Sequence, residues 1–188
     1  MAQVGDVIQN PLTGERLTFL KTSRDTDGEL LLIDWFLNPG GFLPGGAHTH
    51  PYQEEYFEIV SGTLGVRVGR RKCVLRAGEA ATVPPGTLHG WWNEGSDEVH
   101  ALIGFRPALD KESLFETLYG LMRDGKTTRK GVPHPLQVLA VLEDYRNEIA
   151  VPLVPISMQR AIISTLSPLA RRRGYRGRYF SSAARSKS

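Results

Sequence analysis

Cysteine occurs once, at Cys73, so neither an internal disulfide nor a cysteine-based zinc cluster can form within one chain. The segment from Met1 to Asp6 has no basic start followed by an apolar stretch, so no secretory signal is readable and a cytoplasmic location is the expectation. No uninterrupted apolar run reaches spanning length. Residues 149–170 come nearest, but Arg160, Pro152, Pro155 and Pro168 break the stretch, which therefore reads as packed or surface-lying helix. Internal repeats are absent. Acids are also absent beyond Ala170, where seven of the 23 bases lie, leaving residues 1–170 with 16 bases against 20 acids. That balance argues against a nucleic-acid-binding surface on the main body, and no specific nucleic-acid partner is expected. With so little apolar surface to offset the entropy of ordering it, the segment 171–188 reads as a flexible basic tail. Its arginines interleave with Tyr175, Tyr179 and Phe180, a composition compatible with weak contact to an anionic membrane or RNA.

What is present is an ordinary globular composition, 40% hydrophobic and 23% charged over 188 residues, enough for one domain with an appendage. From Glu15 to about Ala108, short β-prone runs alternate with Gly, Pro, Asn and Asp. Residues 30–37, 56–60, 63–68, 72–76, 80–83, 88–92 and 99–105 read as strands, a succession that predicts a sandwich or closed barrel over residues 1–108. The period then changes. Leu114, Phe115, Leu118, Leu121 and Met122 recur at helical spacing, and Pro135 opens a second run through Leu136, Leu139, Leu142, Tyr145 and Ile149. A third helix candidate follows Ser157, carrying Met158, Ile162, Leu166 and Leu169, with Pro168 expected to kink it or cut short its last turn. Residues 109–170 thus form a helical extension. Cys73 shares parity with Leu75 and Ala77 and reads as a small buried hydrophobe.

His48 and His50, one residue apart on a strand, point to the same side and can meet one metal ion. Glu55 lies close enough to return a carboxylate to that centre, and His89 follows the rigid turn Pro84-Pro85-Gly86-Thr87. These two segments resemble the paired motifs of the cupin superfamily. His48, Thr49, His50, four residues, Glu55, six residues and Gly62 match the first motif, except that its leading glycine, Gly41, stands one position too early. Gly78, Pro84, Gly86, His89 and Asn93 match the second at every specified position.

The resemblance implies a mainly β fold, a jelly-roll barrel followed by two or three helices, that holds one divalent transition metal through His48, His50, Glu55 and His89. Iron, manganese, nickel, copper and zinc all accept these donors. Spacing to Gly62 favours Glu55 over its neighbour Glu54 as the carboxylate ligand. Parity proposes Phe57, Ile59, Trp91 and Asn93 as pocket lining; Arg106 is a candidate clamp for an anionic substrate, with a surface arginine at a strand end the favoured reading. The function implied is a dioxygenase-like oxidoreductase acting on a small organic molecule. A metal-dependent isomerase or decarboxylase, with His100 or Glu54 as acid or base, and a non-catalytic ligand-binding cupin are the alternatives. A homodimer is the oligomer that the resemblance supports.

Overall fold

The computed structural model describes residues 2–152 and 154–179. Among them, nine antiparallel strands form two sheets: β1 (Val7–Asn10), β2 (Glu15–Lys21), β3 (Leu31–Leu37), β4 (Glu54–Ser61), β5 (Thr63–Val68), β6 (Arg71–Arg76), β7 (Ala80–Val83), β8 (His89–Asn93) and β9 (Val99–Arg106). The six-stranded sheet runs β1-β2-β3-β9-β4-β7 and the three-stranded sheet β6-β5-β8. Period-two alternation decides which side is buried. Leu31, Ile33, Trp35 and Leu37 of β3 and Val99, Ala101, Ile103 and Phe105 of β9 face inward, and the residues between them face out. Trp35 and Trp91 meet edge to face at 4.9 Å, joining the sheets across the core.

Gly62 turns β4 into β5 at φ +82°, and a Cβ there would stand 2.7 Å from the Glu98 carbonyl oxygen. Both the left-handed backbone and the close approach exclude a side chain, so Gly62→Ala should destabilise the fold by about 1–3 kcal/mol. A urea midpoint unchanged from wild type would contradict this reading of the turn.

Three helices follow, α1 (Lys111–Arg123), α2 (Pro135–Asp144) and α3 (Ile156–Arg172). His134 caps α2, its Nδ1 accepting the Leu136 N–H at 3.3 Å, with Pro135 in the first turn where its missing donor costs nothing. Helix α3 runs through Pro168 to Arg172 instead of ending there. No helix among the described residues is long and apolar enough to cross a membrane. Helix α1 lies against the barrel because its Tyr119 hydroxyl donates to buried Glu15 of β2 at 2.9 Å. Asn10, Thr13 and Trp35 also donate to that carboxylate, so it is fully satisfied although burial pushes its pKa up. Helices α1 and α2 share a satellite core of Leu114, Leu121, Val141 and Tyr145. Ser113 and Thr117 of α1 hydrogen-bond the Tyr145 hydroxyl at 2.7 and 3.0 Å.

Residues 171–179 are not a detached tail. Arg171 pairs with Asp144 at 2.5 Å, Arg178 with Asp110, and the Tyr179 hydroxyl donates to Asp124 at 2.7 Å. Gln137 donates to the Arg176 carbonyl at 2.6 Å, and Tyr175 stacks on His134 at 5.2 Å. The acids missing from the segment itself are supplied by α1, α2 and the residues beside them, which turns its arginines into a strap across both helices. Residues 180–188, including Phe180, lie outside the described part. Cys73 is exposed, because β6 is the edge strand of the smaller sheet and only Leu75 of that parity reaches the core.

Candidate metal centre

His48 sits in an extended segment that pairs with the first residue of β8: His48 N–H donates to the His89 carbonyl at 3.1 Å and receives the reverse bond at 3.0 Å. This is a single bridge, not the regular strand expected. Thr49 pairs in turn with Ala150 of the helical extension, so alternation still places His48 and His50 on one side. Glu55, second residue of β4, and His89 complete the cluster from opposite sheets.

Imidazole tautomers follow from what each ring touches. His50 Nδ1 lies 2.6 Å from the Glu148 carbonyl and His89 Nδ1 3.0 Å from the Thr87 carbonyl. A carbonyl only accepts, so both Nδ1 atoms carry hydrogen and Nε2 is the atom each ring turns to the centre. The ring nitrogens converge: His48 and His50 Nε2 are 3.2 Å apart, and ligand atoms of His48, His50 and His89 lie within 4.8 Å of one another. Glu55 Oε2 is 2.7 Å from His89 Nε2 and 3.4 Å from His50 Nε2.

Burial, reinforced by the neighbouring imidazoles, holds His48 well below the ordinary histidine value. Burial and the Lys111 ammonium lower His50 to about 4. Burial works against ionisation of Glu55, yet His89 and His50 together outweigh it and hold the carboxyl well below its usual range. Burial likewise opposes a proton on His89, but Glu55 beside it raises the pKa. Two neutral rings, a carboxylate and a ring sharing its proton with that carboxylate make a set in which one proton stands in for a cation. Glu55 Oε2 and His89 Nε2 are buried and face only each other and the neighbouring imidazoles, so a divalent ion among the four donors would take the place of the proton between them. The residues fit a metal.

Proton bookkeeping follows. A metal displaces the proton that His89 shares with Glu55, and protons on His50 only as pH falls toward its depressed value of about 4. Zinc titrations in buffers of different ionisation enthalpy should show this release growing as pH drops from 7 toward about 4. Release of three protons at neutral pH would contradict the assigned states.

The cluster opens into a cavity of about 480 Å³. Ile33, Trp35, Trp91, Ile103 and Phe105 form the barrel wall, while Leu114, Phe115, Leu118, Met122, Val138 and Leu142 of α1 and α2 roof it. The helical extension therefore builds half of the pocket. Lys111, first residue of α1, reaches in from that side: it is buried, its Nζ donates to the Glu148 carbonyl at 3.2 Å, and it lies 3.1 Å from His50 Nδ1. Burial lowers its pKa to about 7.

Residues 34–105 match the Cupin_2 cupin-domain family. The chain carries a cupin domain. Among curated proteins, the chain is similar to an oxidoreductase of Arthrobotrys oligospora, at 29% identity over 154 residues, covering 72% of this chain and 60% of the relative. It also resembles the polyketide synthase CurC of Streptomyces cyaneus, 33% identical over 67 residues, covering 36% of this chain and 44% of that protein. The chain thus spans about half the length of these relatives. A solved structure of TT1209 from Thermus thermophilus aligns with 25% identity and a TM-score of 0.46, over 56% of this chain and 90% of that one.

Of the lining residues expected from parity, the cupin cavity contains Trp91 alone. Phe57 and Ile59 do point inward, but they fill the core between the sheets, away from the cavity. Asn93 is a structural tie, donating to the Leu37 and Asp97 carbonyls at 3.0 and 2.9 Å. Arg106 is exposed at the end of β9 and lines no part of the cavity. His100 faces outward, stacked on Phe36 at 4.2 Å and 2.5 Å from Asp34, because the inward parity of β9 belongs to its odd-numbered residues. Glu54 has parity opposite to Glu55 and stands across from Arg106. Neither His100 nor Glu54 lines the cavity, so neither serves as its acid or base. Lys111 and Glu148 were missed. Lys111 carried a signal, a charge at helical spacing on the apolar face of Leu114, Phe115 and Leu118.

Proposed function

We propose that His48, His50, Glu55 and His89 hold one divalent transition metal and that the protein is a dioxygenase-like oxidoreductase acting on an apolar small organic molecule. One observation carries this reading: a three-imidazole, one-carboxylate cluster whose His48, His50 and Glu55 line a cavity with otherwise almost wholly apolar walls. When bound, an ion favouring six ligands supplies open positions for a chelating oxygen group and dioxygen side by side. The chain's own residues do the rest. Aromatic and aliphatic walls orient the body of the substrate, and the α1–α2 roof keeps bulk water from the centre. Similarity to the fungal oxidoreductase over 72% of this chain supports oxidation over the redox-neutral cupin reactions. A homodimer belongs to the same proposal and is checked by light scattering.

Dioxygen uptake by the metal-loaded protein, screened with apolar phenols and enols, tests this reading. Uptake that depends on both substrate and metal supports it. Turnover that continues at the same rate without dioxygen would move the protein to the isomerase or decarboxylase alternative, and ligand-induced stabilisation without turnover of any kind to a binding role.

Glu55→Gln removes the only anionic donor and should weaken metal retention by about tenfold or more, whereas Glu54→Gln, on the opposite side of β4, should leave it unchanged. Equal chelator resistance in the two variants would reject Glu55 as the ligand.

A further inference from the structure

Lys111 stands out as a buried amine in an apolar cavity, 2% exposed and with no ion-pair partner within 4.0 Å among the described residues, and an anion beside it would favour its ammonium form. An ammonium has three hydrogens to place. The Glu148 carbonyl at 3.2 Å accepts one, and a second meets the face of Phe105, whose centroid is 4.8 Å from Nζ. His50 Nδ1, 3.1 Å away, accepts none, since its own hydrogen is committed to the same Glu148 carbonyl at 2.6 Å. One donor is left without an acceptor at the cavity wall, beside the metal cluster. Such a group is costly unless a ligand completes it.

We propose that Lys111 is the anion anchor of the cavity, receiving a carboxylate, enolate or phenolate oxygen of an aromatic-bodied ligand whose remainder packs on Trp35, Trp91 and Phe115. The anchor comes from the helical extension and the metal ligands from the barrel segment, so the pocket demands both parts of the chain. This assignment rests on the metal-dependent reading for its substrate class but not for its geometry.

The test uses zinc-loaded full-length protein with 2-naphthoate and its neutral isostere 2-naphthamide, followed through Trp35 and Trp91 fluorescence. Lys111→Met should weaken 2-naphthoate binding about ten- to hundredfold, as expected for loss of a charge-assisted hydrogen bond, and 2-naphthamide binding by less than about threefold. Equal losses for the two probes, or no loss for 2-naphthoate, overturn the anchor. Lys111→Gln, which keeps a donor for the Glu148 carbonyl, repeats the comparison should the methionine variant fold poorly. A crystal structure of the wild type with 2-naphthoate adds a variant-free check: its carboxylate should lie within hydrogen-bonding distance of Lys111 Nζ, and a carboxylate seated elsewhere overturns the proposal. Zinc content measured on each sample separates the two readings, because selective 2-naphthoate binding by protein that retains no zinc upholds the anchor while rejecting the metal centre.

A second, independent observation concerns α3, whose large aliphatic residues face the wrong way. Met158, Ile162, Leu166 and Leu169 are 51%, 44%, 42% and 47% exposed along one stripe, while Gln159, Ser167 and Ala170 share the packed face with Ile163. The helix contains no acid, and Arg172 and Arg173 at its end have no ion pair among the described residues. Val151 and Pro152, which precede α3, line the cavity, and the Val151 N–H donates to Gln159 at 3.2 Å. We infer that this stripe docks on an anionic lipid surface, placing the cavity rim where apolar ligands dissolve. A second copy offers no acid along this stripe to meet Arg172 and Arg173, whereas an anionic lipid surface offers negative charge.

Co-sedimentation with phosphatidylglycerol-containing vesicles should exceed that with pure phosphatidylcholine by about tenfold, weaken as salt rises, and disappear in Ile162→Ser/Leu166→Ser. Equal sedimentation with both vesicle types overturns the inference. So does a salt-resistant dimer that the same double variant dissociates, since a second copy would then cover the stripe.

Discussion

Replacing His48 and His50 together with alanine should reduce bound metal from about one ion per chain to a background level, the largest single effect expected of any double variant of this protein. Both Nε2 atoms face the centre at 3.2 Å from each other, and no other imidazole or thiol among the described residues is placed to replace them. Glu55 and His89 alone would leave a two-donor site, far weaker than a four-donor one. His48 is partly exposed and sits in a bridged loop, so its loss costs little packing. His50 is more embedded, and its removal leaves the Glu148 carbonyl to Lys111 alone. A fold-neutral control is therefore needed, and His100→Ala provides it, because His100 lies on the outer side of β9. Full occupancy in the double variant would sink the ligand set.

Truncation after Ala170 should lower the melting midpoint by about 5–10 °C relative to truncation after Tyr179, reflecting about 2–3 kcal/mol lost. The deleted strap carries Arg171 to Asp144, Arg178 to Asp110 and Ser113, and Tyr179 to Thr117 and Asp124. Each exposed ion pair contributes little by itself. Tyr179 contributes more, since its ring packs against the satellite core that α1 and α2 share. Because Asp110 immediately precedes Lys111, loosening the strap should also loosen the cavity roof, visible as faster amide exchange in α1 and α2. Identical midpoints for the two truncations would restore the view of residues 171–179 as a passive tail.

The barrel was legible because its signals are local. Alternation along β3 and β9, glycine and proline between runs, and the two spaced motifs each occupy a few consecutive residues. The change to helical period after Ala108 was equally plain, and three helices follow it, although α2 stops at Asp144, short of the Tyr145 and Ile149 that its periodicity included. Strands β1 and β2 were not among the expected runs: Val7-Ile8-Gln9-Asn10 is too short and too exposed to show alternation, and β2 opens its buried side with the charged Glu15. Contacts between distant segments left no such trace. Arg178 finds Asp110 across 68 positions and Tyr119 finds Glu15 across 104, and neither pairing has a local pattern. Pocket lining failed for a different reason. Parity identifies the inward side of a strand, but a barrel interior is part packed core and part cavity, and depth along the strand separates Glu55 from Phe57 and Ile59. The helical roof decides where the cavity ends.

Metal analysis and X-ray absorption on the full chain, purified without added metal and then loaded with zinc, test the central claim most directly. About one ion per chain, with nitrogen and oxygen neighbours and the outer-shell scattering of three imidazoles, is the result expected of His48, His50, Glu55 and His89. Substoichiometric zinc that dialysis removes, or an ion whose spectrum shows a single imidazole, would contradict it.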